Sequence, residues 1–303
     1  MKSILINIAR LNLCRTIWHR WHAKYSDKEC RDAFVEAMNA QATEWGMNNT
    51  HWINPSGLGE NGFYSQSTAN DLAIMAMHVF GMQPMTKYFG VDPYELHILK
   101  PYLIPGHRYR NKVIYSTTQV ETIGENYPIL GAKTGSGDGY QTLVMASKIA
   151  NNIVSGAIMN AKDEQGRFDA MDELMRIGYK ILAEHAEANQ SKVHHARNAC
   201  LYTKLPNGTI SRLFAQDAEE QSAPMSTTKV TTMALVRKFE KDVNRMVYIT
   251  PYDTKGVGDD SLHEWDELAI IDLINVMMRE SSNVAANALA RIVGEKILLT
   301  KIV

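Results

Sequence analysis

Three short segments of the 303-residue chain contain side chains that could act together on a carbonyl group. Ser226 and Lys229 stand three residues apart at the start of a helical run, so both side chains lie on one face of the helix. A serine hydroxyl attacks a carbonyl once a base takes its proton. A lysine becomes that base when burial or a second cation, for which Lys133 is the candidate, disfavours its charged form. The N–H groups at the helix start would stabilise the anion that forms at the attacked carbonyl. This pattern indicates acyl transfer through a serine.

The other two segments offer groups that would bind a substrate. Ser281 and Asn283 lie where one apolar helix gives way to another, in a turn that can point both side chains in one direction. A hydroxyl there can relay a proton, and an amide can hold a peptide group. On a strand, Lys133 and Thr134 would place a cation and a hydroxyl against a carboxylate, and Gly135 would let a substrate backbone approach the strand edge. Each pattern alone also fits an ordinary capped helix, turn or hairpin, so the prediction depends on all three occurring together.

In their contexts, APMSTTKVTTMALV, RESSNVAANALA and LGAKTGSGDGY, these motifs resemble those of the serine-type D-alanyl-D-alanine carboxypeptidases, the low-molecular-mass penicillin-binding proteins. The resemblance extends beyond the motifs to most of the chain, over residues 33–72, 108–182, 200–240 and 262–294. It implies that the protein acts on peptidoglycan stem peptides in the cell envelope. It also implies that β-lactams acylate the protein and that no metal or organic cofactor is needed.

The resemblance also assigns roles to individual residues. Ser226 would attack the carbonyl of the penultimate D-alanine, Lys229 would accept its proton, and Ser281 would pass that proton to the departing D-alanine. The substrate would be bound by the remaining motif residues: Asn283 on its amide, Lys133 and Thr134 on its terminal carboxylate, Gly135 beside its backbone, and the N–H groups of Ser226 and Ser136 as an oxyanion hole.

The order of the motifs departs from the family, in which the Lys-Thr-Gly segment comes last rather than first. We interpret the order as a circular permutation. Residues 30–184 then correspond to the family's C-terminal half and residues 185–303 to its N-terminal half, with residues 1–29 as an extension outside the match. Residues 30–303 together would form one catalytic domain, because a catalytic set is defined by geometry rather than by chain order. The two halves could close within one chain as a monomer or exchange in a swapped dimer.

The element pattern and the resemblance predict an α/β (α+β) fold of the β-lactamase/transpeptidase type. An antiparallel sheet would be flanked by helices, and an all-helical subdomain would contribute Ser281 and Asn283. Apolar periodicity and turn signals predict helices over residues 32–45, 67–81, 168–188, 226–239, 266–280 and 283–294. They predict strands over residues 112–118, 139–149 and 152–161 and a hairpin over residues 199–215. We expect the helices at 168–188 and 226–239 to face the sheet.

Composition excludes several other functions. The 32 basic and 33 acidic residues give no general attraction to nucleic acid. Cys14, Cys30 and Cys200 are too few and too widely spaced for a disulfide framework or a zinc cluster. No apolar stretch reaches the roughly 18 residues of a membrane helix, and residues 1–15 do not read as a convincing signal peptide. The basic and tryptophan-containing residues 1–29 are compatible with peripheral membrane contact.

Other functions are less well supported by the sequence. A class A-like β-lactamase shares the acylation residues but normally adds a Glu-x-x-Leu-Asn segment before the Lys-Thr-Gly strand, which this sequence lacks. A catalytically inactive penicillin-fold binding module would keep the motifs without aligning them. Metal binding by either histidine pair, His19 with His22 or His194 with His195, lacks further ligands nearby in the sequence. His51, His107 and His263 have no visible role as a base.

Overall fold

The computed structural model describes residues 24–81, 93–99, 109–116, 118, 127–185, 191–259 and 261–301. Its helices are α1 (Asp27–Glu44), α2 (Ala69–Phe80), α3 (Glu164–Ala183), α4 (Lys229–Phe239), α5 (Pro251–Thr254), α6 (Ile270–Arg279) and α7 (Asn283–Thr300). Its strands are β1 (Tyr94–Leu99), β2 (Tyr109–Ile114), β3 (Ile129–Gly137), β4 (Tyr140–Ile149), β5 (Asn152–Ala161), β6 (Ala196–Lys204), β7 (Ile210–Gln216), β8 (Met246–Tyr248) and β9 (Glu267–Ala269).

The central sheet has five antiparallel strands in the order β3-β4-β5-β6-β7. Strands β3, β4 and β5 follow one another along the chain, and β6 and β7 form the predicted hairpin after α3. Strand β6 pairs with β5 from Ala161↔Ala196 to Ile153↔Lys204. The two segments on either side of residue 185 therefore meet in one continuous sheet.

Each face of the central sheet packs against a different helix. Alternate residues of a strand point to opposite faces, so Leu143 and Met145 of β4 join the core under α3, whereas Val144 and Ala146 join the core on the other side. We expected the helix over residues 226–239 to face the sheet, but only its first turn, the 3₁₀ turn Met225–Thr228, makes many contacts with β3 and β4. Helix α2 covers that second face, and α4 packs against α2.

Capping residues explain where the helices begin. Thr68 is the N-cap of α2 and Gly81 its C-cap, close to the predicted bounds of 67–81. Helix α1 begins at Asp27 rather than at residue 32, because Ser26 and Glu29 form a capping box. Helix α3 begins at Glu164, earlier than the predicted residue 168, after the N-cap Asp163. In both helices the first turn is polar, so hydrophobic periodicity alone does not reveal it.

The region that contains Ser281 has a second, smaller sheet, with the strand order β2-β1-β9-β8. This subdomain is therefore mainly helical rather than all-helical. The segment predicted as one helix over residues 266–280 begins with strand β9, and helix α6 starts only at Ile270. The strand was not predicted, because three residues are too few to show the alternation by which strands are recognised. Strand β2 likewise spans 109–114 rather than 112–118. The predicted fold class, an antiparallel sheet flanked by helices, is confirmed.

Most of the predicted extension, residues 1–23, lies outside the described residues, as do Cys14, His19, His22 and His107. Within the described ranges, no helix combines the length and apolar character that crossing a membrane requires.

Candidate active site

Ser226 lies in a single 3₁₀ turn, Met225–Thr228, which leads directly into α4. Met225 has a φ of 50°, an uncommon left-handed conformation for a residue with a side chain. Strand β3 passes beside this turn: a Cβ atom built on Gly135 would stand 2.9 Å from the Ser226 backbone nitrogen. Thr142 on β4 also donates a hydrogen bond to the carbonyl oxygen of Pro224, at 3.1 Å. The sheet edge and the serine turn are therefore held against each other.

Lys229 is fully buried, and its Nζ atom contacts three oxygen atoms at 2.8 Å each. These are the Oγ atom of Ser226, the carbonyl oxygen of Ser56 and the Oδ1 atom of Asn283. Burial, with a further contribution from the nearby charge of Lys133, lowers the pKa of Lys229 well below its ordinary value. A neutral amine has one lone pair, so Lys229 can donate to two of these oxygens and take the proton of the third, the Ser226 hydroxyl.

Lys133 is the second buried cation of the site. Its Nζ atom donates to the Oγ atom of Ser281 at 3.0 Å and to the carbonyl oxygen of Thr134 at 2.9 Å. Burial, followed by the charge of Arg167, lowers the pKa of Lys133 to about 7. Ser281 has a φ of 61°, so the turn between α6 and α7 presents its hydroxyl in a left-handed backbone conformation.

The structure thus brings the residues predicted from all three motifs to one place. Ser226, Lys229 and Asn283 are joined by direct hydrogen bonds, as are Lys133 and Ser281. The remaining predicted residues lie on β3 beside the serine turn, namely Thr134, Gly135 and Ser136.

The loop over residues 54–58 contributes a contact to the site that residue types do not predict, because the atom that makes it is the backbone carbonyl oxygen of Ser56. The Oδ1 atom of Asn54 accepts hydrogen bonds from the N–H groups of Ser56 at 3.2 Å and Gly57 at 2.7 Å, which shapes the loop. Gly57 has a φ of 81°, and a Cβ atom there would stand 1.9 Å from the carbonyl oxygen of Met225. This close approach directs the Ser56 carbonyl at Lys229. The signal available in the sequence was the turn-forming run Asn-Pro-Ser-Gly.

Two charged residues beside the motifs were also missed. Asp259 accepts hydrogen bonds from the backbone N–H of Asn283 at 2.6 Å and from the Ser282 hydroxyl at 2.7 Å. Arg167, on α3, is buried, and its Nη1 atom donates to the hydroxyl of Ser136. Each comes from an element distant in sequence from its partner, so no local pattern could identify it.

A cleft of about 750 Å³ opens beside the serine turn. The described residues that line it come from the two sides of the site: Ser116, Thr134, Ser136, Glu164, Gln165, Arg167, Phe168, Ser226, Glu280 and Ser281. The charged residues in this lining are Arg167, next to β3, and the carboxylates Glu164 and Glu280.

His194 and His195, the predicted weak metal-binding pair that the structure describes, are not among the residues that line the cleft. His194 and His195 are exposed and both approach Glu173, with nitrogen–oxygen distances of 3.4 Å and 3.2 Å. Within the described residues, no group of three or more metal-binding side chains is present. His51 is exposed and His263 approaches Asp266, and neither is among the residues that line the cleft.

Two comparisons with known proteins gave matches. Residues 29–163 match the Peptidase_S11 family, described as D-alanyl-D-alanine carboxypeptidase. The chain is also similar to D-alanyl-D-alanine carboxypeptidase DacF of Bacillus subtilis (strain 168), with 27% identity over 215 residues. That similarity covers 70% of this chain and 47% of the relative, so the chain spans about half the length of the curated protein that it matches. No solved structure gives a significant match.

Proposed function

We propose that this chain, a relative of the S11 D-alanyl-D-alanine carboxypeptidases, removes the terminal D-alanine of peptidoglycan stem peptides through an acyl-enzyme on Ser226. The observation that carries the proposal is the contact of 2.8 Å between the Ser226 hydroxyl and the buried amine of Lys229. A nucleophile within hydrogen-bonding distance of a base of lowered pKa is the arrangement that covalent acyl transfer needs.

The contacts support a sequence of proton transfers. Lys229 takes the hydroxyl proton of Ser226 while the Oγ atom of Ser226 bonds to the carbonyl carbon of the penultimate D-alanine. The tetrahedral intermediate then collapses and the bond to the last D-alanine breaks. The proton that Lys229 accepted passes through Ser281 to the leaving nitrogen, which returns Lys229 to its neutral form, and Lys133 orients Ser281 by a hydrogen bond of 3.0 Å. Water hydrolyses the resulting ester, which releases the shortened peptide and restores the serine.

The binding roles rest on the surroundings of β3. Lys133 and Thr134 would hold the terminal carboxylate, and the buried cation of Arg167 adds to the positive potential there. Gly135 leaves room for the serine turn, since a Cβ atom there would stand 2.8 Å from the carbonyl oxygen of Pro224, and a substrate backbone would lie along β3 beside that turn. Asn283 would hold the substrate amide, and the N–H groups of Ser226 and Ser136 would form the oxyanion hole.

We propose that residues 30–303 form one permuted catalytic domain. The family match, residues 29–163, includes the strand of Lys133, whereas Ser226 and Ser281 come from the segment after residue 185. Helices α7 and α1 pack so closely that a Cβ atom on Gly294 would stand 1.8 Å from the carbonyl oxygen of Cys30. The proposed break between the family's consecutive segments lies at this contact. Action in the cell envelope follows from the proposed substrate.

Labelling with a fluorescent penicillin tests the proposal. We expect wild-type protein and the control Ser211→Ala to be labelled and Ser226→Ala to remain unlabelled. The labelled protein should release D-alanine from a D-Ala-D-Ala peptide and turn over nitrocefin slowly. Fast nitrocefin turnover without peptide cleavage would instead identify a β-lactamase. A folded wild-type protein that takes no label would identify a non-catalytic penicillin-fold module.

A further inference from the structure

Asp259 lies in the loop between α5 and β9, and its carboxylate collects donors from the start of α7. Its Oδ2 atom accepts hydrogen bonds from the Ser282 hydroxyl at 2.7 Å, the Asn283 N–H at 2.6 Å and the Val284 N–H at 3.2 Å. Its Oδ1 atom accepts one from the Ser261 N–H at 2.8 Å. The carboxylate therefore fixes the backbone from which the Asn283 side chain extends.

One residue separates this carboxylate from the proposed catalytic base. The Oδ1 atom of Asn283 accepts a hydrogen bond from Lys229 at 2.8 Å, while its own N–H binds Asp259. The two charges that act on Lys229 are opposed: Lys133 lowers the pKa of Lys229, and Asp259 raises it. Asp259 thus lies where it can both position a contact of Lys229 and adjust the basicity of its amine.

The other charged groups around the site interact with residues other than Lys229 or lie at the cleft. Arg167, on α3, acts on Lys133. Glu280, at the end of α6, lines the cleft and forms an ion pair with Lys112 on β2, with a nitrogen–oxygen distance of 2.6 Å. Glu164, at the start of α3, is exposed at the rim of the cleft. Within the described residues, Asp259 is the carboxylate that offsets Lys133 at Lys229.

We propose that Asp259 is a positioning residue of this site, which holds Asn283 in place and supplies the negative charge that sets the pH range in which Lys229 acts as a base. The inference rests on the proposed function, since it concerns the base of that reaction. Removal of the charge should make the Lys229 ammonium easier to deprotonate. The rise of the acylation rate on the acid side of its pH profile should then move to lower pH, by about one pH unit for the loss of one nearby charge.

The test compares Asp259→Asn with Ser282→Ala. Both variants remove a hydrogen bond at the start of α7, whereas only Asp259→Asn removes a charge. The rate of acylation by a fluorescent penicillin is measured from pH 4.5 to 9. We expect the pH of half-maximal rate to fall by about one unit in Asp259→Asn and to stay at the wild-type value in Ser282→Ala. A rate lowered by one factor at every pH in Asp259→Asn would reduce Asp259 to a helix cap and overturn the proposal.

A second measurement separates this inference from the proposed function. The ¹³Cε resonance of Lys229 in lysine-labelled protein, assigned by its loss in Lys229→Met, is titrated in the wild type and in Asp259→Asn without any β-lactam. A lower titration midpoint in Asp259→Asn supports the role of Asp259 even if the wild type takes no penicillin. An equal midpoint in the two proteins overturns that role, whatever the labelling shows.

Discussion

The two lysines of the site are equally buried but have different surroundings. Lys229 contacts a hydroxyl, a backbone carbonyl and an amide oxygen, whereas Lys133 contacts a hydroxyl and a backbone carbonyl and has the Arg167 cation nearby. Burial lowers the pKa of both amines, because a low-dielectric interior disfavours the charged form. The neighbours then decide their roles: Lys229 lies beside the nucleophile, and Lys133 lies beside the proposed proton relay.

Substitution of Lys229 by arginine tests the need for a neutral base. A guanidinium keeps its proton at any accessible pH, so Lys229→Arg cannot accept the serine proton. We expect acylation by a fluorescent penicillin to slow by about 100- to 10,000-fold. The exposed substitution Lys148→Arg is the control and should leave the rate unchanged. Labelling of a folded Lys229→Arg variant within about tenfold of the wild-type rate would contradict the role of Lys229 as a base.

The lowered pKa of Lys133 also predicts how stability depends on pH. Its pKa is about 7 in the folded protein against 10.5 for an ordinary lysine. Between these values the unfolded chain binds more protons, so the free energy of unfolding should rise with pH from 7 upward, by at most about 1.4 kcal/mol per unit. Urea unfolding at pH 7, 8 and 9 should show a steeper rise for the wild type than for Lys133→Met.

Two buried thiols limit the pH range over which the free energy of unfolding rises. Burial raises the pKa of Cys30 and Cys200 from the ordinary 9.0 to about 12. Above pH 9 the unfolded chain therefore loses the thiol protons that the folded chain keeps, and the free energy of unfolding falls with pH, opposite to the effect of Lys133. If wild type and Lys133→Met gave the same slope between pH 7 and 9, Lys133 would be charged in the folded protein.

At the scale of elements, the site depends on loops that pack against the serine turn. The loop Asn54–Leu58 gives no side chain to the site, yet its Ser56 carbonyl accepts a hydrogen bond from Lys229. Thr232, on α4, donates to the carbonyl oxygen of Pro55 at 2.6 Å and ties the loop to the helix that follows the nucleophile. The position of Lys229 is therefore set from two elements.

Gly57 and Gly62 have nearly equal φ angles but different surroundings, so substituting each by alanine distinguishes the effect of packing from that of backbone strain. Gly57 and Gly62 have φ values of 81° and 80°, but a Cβ atom would meet the Met225 carbonyl only at Gly57 and nothing within 4 Å at Gly62. We expect Gly62→Ala to cost about 1 kcal/mol of stability and to leave acylation intact. Gly57→Ala should cost about 3 kcal/mol and slow acylation at least about tenfold, as chemical unfolding and penicillin labelling would show. Equal behaviour of the two variants would mean that the loop does not need its close approach to the serine turn.

The sequence predicted the side chains of the site better than the elements that hold them. Short sequence patterns identify these side chains by residue type and spacing alone: Ser226, Lys229, Asn283, Lys133 and Ser281. The Ser56 carbonyl could not be predicted in the same way, because a backbone oxygen has no residue identity. Asp259 acts across a fold that brings α7 to a distant loop. The long periodic helices were foreseen, whereas β8 and β9, at three residues each, were not.

At the scale of the whole molecule, the central sheet combines strands from both segments of the chain. Strand β3 brings Lys133 from before residue 185, and the segment after it brings Ser226, yet β5 and β6 pair along their length within this single chain. We therefore expect the protein to be a monomer with one acylation site, in which the two segments close on each other.

Mixing two inactive variants distinguishes this arrangement from a swapped dimer. Ser226→Ala and Lys133→Met alter different segments, so a heterodimer that exchanged segments would contain one intact site. After unfolding and joint refolding, we expect no labelling above that of the separate variants, together with a monomeric mass by light scattering. Recovery of labelling at about a quarter of the sites, the fraction for random pairing, would demonstrate exchange.

The pairing of β5 with β6 also bears on how the protein is made. Of the central sheet, β3, β4 and β5 leave the ribosome first. The backbone groups along the outer side of β5 can pair only once β6, which begins 35 residues after β5 ends, has been synthesised. An unpaired edge of this kind is prone to join other chains. The nascent polypeptide should therefore need a chaperone during that interval, and the proposed catalytic serine is added only after β6 and β7 have been synthesised.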